Sequence, residues 1–154
     1  DYSRAMGEKL GLSPIKIRNL ELASLLHDVG KIGVSEYILG KPGKLTDQEL
    51  FIIKKHPEIG GQIVGDVEFL KPTVSSILHH HERFDGKGYP AGLAGEDIPL
   101  TARIISVTDT YDFLTSDLSY RKAFSKEQAL DELKKSSGNQ LDPDIVRTFI
   151  ETVH

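Results

Sequence analysis

The stretch HHHERFDGKGYP, residues 79–90, decides how the rest of the chain is read. Three consecutive histidines end an apolar segment, a run of charge follows, and Gly86 and Gly88 flank Lys87 before Tyr89 and Pro90. Adjacent imidazoles suit transition metals, because a neutral ring nitrogen is a good ligand for zinc, iron or manganese. The glycine-rich tail then has to turn tightly and lie close to whatever the histidines hold. Upstream, Pro72 opens a helix with Val74, Ile77, Leu78 and His81 on or near one face, so the histidines arrive at a helix end.

Working outward, the same period of three to four residues recurs. Tyr2, Met6 and Leu10 end at Gly11 as the last turns of a helix. Ser13 and Pro14 restart the chain as N-cap and first helical residue, and Ile15, Leu22, Leu26 and Val29 mark a buried face that stops at Gly30. His27 and Asp28 fall in its last turn. Thr46 with Glu49, and later Ser125 with Gln128, are capping pairs that start two more helices. His56 precedes Pro57 and so sits at a helix break. Leu100, Ile104, Val107, Tyr111 and Leu114 define a long helix, and Asp109 rises from a flank between Ile105 and Phe113. Asp142 and Pro143 open the last one. No alternating strand, repeat or low-complexity segment appears, so the expectation is an all-α bundle of about seven or eight helices in one domain spanning 1–154.

Composition narrows the chemistry. A chain of 154 residues, 38% hydrophobic and 27% charged, suits one compact domain. Nineteen basic against 23 acidic side chains give no global positive field, which argues against binding a nucleic-acid polymer. With no cysteine, thiolate sites, disulfides and cysteine nucleophiles are excluded, leaving His, Asp and Glu as ligands. No segment is long and apolar enough to span a membrane, and Asp1 begins neither a signal peptide nor a native start. The expectation is a cytoplasmic excerpt of a longer protein, truncated in its first helix.

A lone histidine in an apolar helix is ordinarily a hydrogen-bonded core residue. Here five of the six lie in or near such helices. His27 and Asp28, His56, the pair within residues 79–81, and Asp109 supply imidazoles and carboxylates from four segments. Such a set suits two metal ions sharing a carboxylate better than one structural zinc.

These elements are recognisable together. HDVGK at 27–31, HPEIG at 56–60, HHERFDGKGYP at 80–90 and VTD at 107–109 resemble, in order and over nearly the whole chain, the HD-GYP family of HD-domain metal-dependent phosphohydrolases. The resemblance implies two or three divalent ions, iron or manganese, and hydrolysis of the bacterial messenger cyclic di-GMP to pGpG or GMP by the output domain of a signalling protein. It implies His27, Asp28, His56, His80, His81 and Asp109 as metal ligands, Asp28 as the bridge, and His79 as a neighbour. Asp28 and Asp109 would also serve catalysis, and Lys31 would place its ammonium beside the attacked phosphate; on the sequence alone Lys31 is a cation at a helix C-terminus. The loop at Gly88, Tyr89 and Pro90 would border the site and offer a docking surface for a diguanylate cyclase or another signalling partner, with Tyr89 either packing or exposed. A homodimer formed through upstream helices is implied for the full-length protein.

The chain departs from the family pattern in two places. Where the family has Asp-Arg-Pro-Tyr-Arg/Lys, this sequence reads DLSYRK at 117–122, so the arginine expected to hold a substrate phosphate is Leu118. Tyr120, Arg121 and Lys122 remain as substrate contacts, the basic pair being alternatively an ordinary solvated one. A further family histidine would fall just before Asp1, and His154 reads as a frayed terminus. The departure at Leu118 keeps open a phosphohydrolase of another nucleotide, or a degenerate interaction module.

Overall fold

A computed structural model of the chain describes residues 2–117 and 121–153. Among the described residues the fold is all-α: nine α-helices, the third a single turn, joined by 3-10 turns at Val29–Gly33, Glu68–Thr73 and Gly95–Asp97. No β-strand forms among these residues, though Ser137 and Leu141 make an isolated bridge.

The two capping pairs start helices as the sequence predicts. Thr46 and Glu49 exchange side-chain and backbone bonds at the head of α4 (Asp47–Ile53), and Ser125 and Gln128 do so at the head of α8 (Lys126–Ser136). Each pair satisfies two N–H groups that the first turn leaves without partners. Ser13 differs, because it takes the extended N-cap conformation without a side-chain bond, and Pro14 alone starts α2 (Pro14–Leu26). Pro72 does not open the next helix; it lies inside the 3-10 turn Glu68–Thr73, and α6 (Val74–His79) begins after it.

The buried face of α2 agrees only in part with the expected one: Leu26 and the following Val29 pack against the core, but Ile15 does not. Leu20 and Ala23 are fully buried, whereas Ile15 is 61% exposed. Apolar side chains stand on several sides of α2, so spacing fits more than one stripe, and packing selects the one that brings Ile17 and Leu20 against Gly7 of α1 (Tyr2–Lys9).

The core forms around α7 (Leu100–Thr115), which buries Ala102, Ile104, Ile105, Val107, Thr108 and Tyr111. It meets α1, α2, α6, α8 and α9 (Pro143–Val153). Phe149 of α9, fully buried, lies 5.0 Å from Tyr111 and 5.6 Å from Tyr2 in ring-centroid separation, joining three helices in one aromatic cluster. Phe113, expected to flank Asp109 as core, is 50% exposed while Ile105 is buried. Asp109 therefore rises at the boundary between core and solvent.

Candidate metal centre

Four segments converge on one place because each is stopped or started there. His27 caps the C-terminus of α2, and Asp28 opens the 3-10 turn Val29–Gly33. His56 is the first residue of α5 (His56–Gly65), and His80 caps α6 with His81 next in sequence. The 3-10 turn can lie against the head of α5 only because residue 30 is glycine, since a Cβ there would sit 1.9 Å from the His56 carbonyl oxygen.

Asp28, His56, His80 and His81 each offer a ligand atom, all within 4.8 Å of one another, so the group can hold a metal ion. Asp28 Oδ1 faces His56 Nε2 at 3.3 Å, while its Oδ2 lies 3.6 Å from His27 Nε2. His27 Nε2 in turn stands 3.4 Å from Asp109 Oδ1. The two oxygens of Asp28 thus look toward two groups, one of three imidazoles and one made by His27 and Asp109.

Local hydrogen bonding presets the imidazoles. Nδ1 of His27 lies 2.8 Å from Ser24 O, that of His56 2.7 Å from Ile53 O, and that of His80 2.6 Å from Ile77 O. In each case the carbonyl is three residues earlier, at or beside a helix end, and it can only accept, so Nδ1 carries the proton and Nε2 keeps its lone pair. His56 Nε2 and His80 Nε2 face each other at 3.4 Å with both lone pairs turned inward, which is not a hydrogen bond between neutral rings. Both side chains are buried, at 1% and 2% exposure, so water does not separate them. The buried atoms His27 Nε2 and Asp28 Oδ1 likewise lack a hydrogen-bond partner. Converging lone pairs and orphaned acceptors fit a cation, and the donor set of imidazole and carboxylate fits a divalent transition metal.

The electrostatics agree. Burial, reinforced by the neighbouring His81, lowers the His80 pKa to about 3, and burial with His56 beside it lowers His81 to about 4, so both stay neutral ligands. Burial works against the charged form of Asp28, yet the groups around it, the Lys31 ammonium among them, overcome it and hold the carboxyl well below its usual range. Burial also opposes a charge on His27, but the Asp109 carboxylate and the Ser24 carbonyl raise its pKa, so that side favours positive charge.

Lys31 donates to Asp28 Oδ2 at 2.6 Å, so its ammonium is beside the cluster rather than a free helix-end cation. The 79–90 loop forms one wall. Tyr89 stacks on His81, ring centroids 5.0 Å apart and planes 20° from parallel, and its N–H donates to His81 O. Gly88 passes so near the preceding turn that a Cβ would lie 2.3 Å from Arg83 N, and the Tyr89–Pro90 bond is cis. His79 sits outside the group, its Nδ1 2.9 Å from Ser75 O.

The predicted substrate contacts are not gathered here. Arg121 donates to Phe113 O at 2.8 Å, and its guanidinium sits 5.2 Å from the Phe113 ring and 4.5 Å from that of Phe124. That clamp closes the end of α7. Lys122 is exposed, and Leu118, Ser119, Tyr120 and His154 lie outside the described residues.

Sequence reasoning missed the role of Glu82. Its carboxylate is 3% exposed and accepts from Ala91 N at 2.7 Å and Leu93 N at 3.0 Å, tying the far end of the loop to the histidine segment. An acidic residue directly after two ligand-type histidines was the available signal.

Comparison with known proteins agrees with this arrangement. The sequence model of the family described as "HD domain" matches residues 1–145. The cyclic di-GMP phosphodiesterase response regulator RpfG of Xanthomonas campestris is 43% identical over 147 residues, 94% of this chain and 39% of the relative. The 3'3'-cGAMP-specific phosphodiesterase 2 of Vibrio cholerae is 36% identical over 152 residues, 97% of this chain and 29% of the relative. The chain therefore spans well under half the length of these relatives. Among solved structures, Bd1817, a HDG"Y"P protein from Bdellovibrio bacteriovorus, superposes with a TM-score of 0.78 at 27% identity, covering 99% of this chain and 49% of that one.

Proposed function

Because the chain belongs to the HD-domain/HD-GYP superfamily, we propose that it is the hydrolytic module of a metal-dependent cyclic-dinucleotide phosphodiesterase that cleaves cyclic di-GMP to pGpG, GMP or both. The observation that carries the reading is the pair of facing lone pairs on His56 and His80, set beside an Asp28 carboxylate that points one oxygen at each of two ligand groups.

In this reading His56, His80, His81 and Asp28 would hold one divalent ion, and His27 and Asp109 with the same Asp28 carboxylate a second, iron or manganese in each case. Ions held there would supply Lewis acidity, offsetting the charge of the diester and making water a competent nucleophile near neutral pH. Lys31, fixed on Asp28 at 2.6 Å, is placed to stabilise charge that grows on the phosphate oxygens. The backbone carbonyls behind His27, His56 and His80 hold each ring in the tautomer and orientation that ligation needs. Asp109, at the core boundary, is placed to orient the attacking water as well as to bind.

Relatives of similar identity carry names with different cyclic dinucleotides, so 3'3'-cGAMP is the second substrate to weigh. Metal analysis of the purified protein, with hydrolysis of cyclic di-GMP and 3'3'-cGAMP followed side by side and Asp28→Ala as control, tests the reading. Stoichiometric iron or manganese with turnover of cyclic di-GMP, abolished in the variant, is the expected result. A fully metallated protein that leaves both nucleotides intact defeats it.

A further inference from the structure

A cyclic dinucleotide carries two phosphates, and the metal centre with Lys31 accounts for only one. The second is an anion best met by a further cation near the metal centre. Arg121 is engaged by the carbonyls of Phe113 and Leu114 and by two aromatic rings, so its donors are already directed at the end of α7.

We propose that Lys54, held against Tyr89, is the residue that binds the second phosphate of the substrate; the proposal rests on the cyclic-dinucleotide reading above. Lys54 caps the C-terminus of α4, two residues before His56, and its Nζ lies 5.4 Å from the centroid of the Tyr89 ring. That ring stacks on His81. The order His81, Tyr89, Lys54 therefore carries a positive charge outward from the metal centre along one wall, two side chains away from a ligand.

Among the described residues, Lys54 differs from the lysines on either side of the His56 segment in having no carboxylate partner. Lys55 pairs with Glu58 at 3.1 Å and Lys31 with Asp28 at 2.6 Å, whereas Lys54 makes no ion pair among the described residues. Its charge is exposed and, among the described residues, is answered by the face of the Tyr89 ring, an arrangement an incoming phosphate can complete. The position is also built rather than incidental. Tyr89 is fixed by its N–H bond to His81 O and by the grip of Glu82 on Ala91 and Leu93. At its other end α4 is fixed by the Thr46–Glu49 capping box and by Lys41, which donates to both oxygens of Glu49 at 2.8 Å.

The test uses the metal-loaded protein and two probes, cyclic di-GMP and bis(p-nitrophenyl) phosphate, the latter a diester with no second phosphate. In Lys54→Ala the selectivity for cyclic di-GMP over the simple diester is expected to fall roughly ten- to hundredfold, as for the loss of one charge-assisted contact, mainly through KM. Lys54→Arg is expected to recover most of that loss. An alanine variant with wild-type selectivity overturns the Lys54 contact alone. An arginine variant no better than alanine also overturns it, because packing on Tyr89 and not charge would then explain the loss. Wild-type turnover of the simple diester with neither cyclic di-GMP nor 3'3'-cGAMP cleaved overturns the cyclic-dinucleotide reading itself, a failure distinct from that of the Lys54 contact.

Discussion

The backbone of Gly30 touches that of His56: a Cβ on residue 30 would lie 1.9 Å from the His56 carbonyl oxygen and 2.5 Å from Gly60 N. This contact sets the distance between the Asp28 carboxylate and the His56 ring, since Asp28 and Gly30 share one turn and His56 opens the helix it rests on. Gly30→Ala must push the two segments apart. Overpacking of this kind typically costs about 1–3 kcal/mol. Here the neighbours are backbone atoms that cannot rotate away, so the upper part of that range is expected from urea denaturation. Bound metal should also fall at a fixed free concentration. A variant with wild-type stability and metal content would show that the turn is softer than its geometry implies.

Glu82 holds the loop by two backbone N–H bonds while 3% exposed. Glu82→Gln keeps one carbonyl oxygen but turns an amide NH2 toward the other N–H, leaving a buried donor facing a donor. The expected cost is about 1–3 kcal/mol for the unsatisfied group. Because the same loop presents Tyr89 to His81, turnover should fall further than stability alone explains under conditions where the variant is fully folded. Unchanged turnover in such a sample would separate the loop from the site.

Much of this architecture was legible in residue spacing, and the exceptions have physical causes. The capping pairs at Thr46 and Ser125 were readable because a cap is a local bargain between residues three apart. That His27, Asp28, His56, a pair within residues 79–81 and Asp109 could meet is readable from their places at helix ends and on α7, whereas the choice of His80 and His81 comes from the family resemblance. The stripe on α2 is only partly legible, at Leu26 and Val29, because Ile15, Ile17, Leu20, Leu22 and Leu25 surround the helix and the partner α1 decides which of them is covered. For Arg121 the sequence leaves a phosphate contact and a solvated basic residue both open, because a basic side chain in sequence does not reveal that two phenylalanines and a helix end will engage it. Glu82 went unassigned for a related reason: the N–H groups it satisfies belong to Ala91 and Leu93, whose side chains carry no chemical signal.

Metal-free protein should lose stability on mild acidification. His80 and His81 have folded pKa values near 3 and 4, below the ordinary 6.5 that the unfolded chain restores. Below about 6.5 the unfolded chain therefore binds protons that the folded one refuses. The stability these two groups contribute is complete above 6.5 and declines progressively as pH falls toward 4 and then 3. Thermal melts of chelator-treated protein between pH 7.5 and 4.5 should show Tm falling across that window, and His81→Asn should flatten the slope. A Tm independent of pH would mean that the rings are hydrated in the metal-free state.

Cation removal tests the facing rings directly. With both Nδ1 atoms bonded to carbonyls, the lone pairs of His56 and His80 confront each other at 3.4 Å, and a shared cation relieves that repulsion. Chelation should therefore lower Tm, and restoring manganese should raise it by mass action, at about 2.7 kcal/mol when the free ion is a hundredfold above its Kd. His80→Gln removes one of the two facing imidazoles and its bond to Ile77 O. It should lose most of the manganese-dependent gain while melting, without metal, within a few degrees of the metal-free wild type. If His80→Gln keeps the full gain, the ion is held elsewhere than in the three-imidazole group.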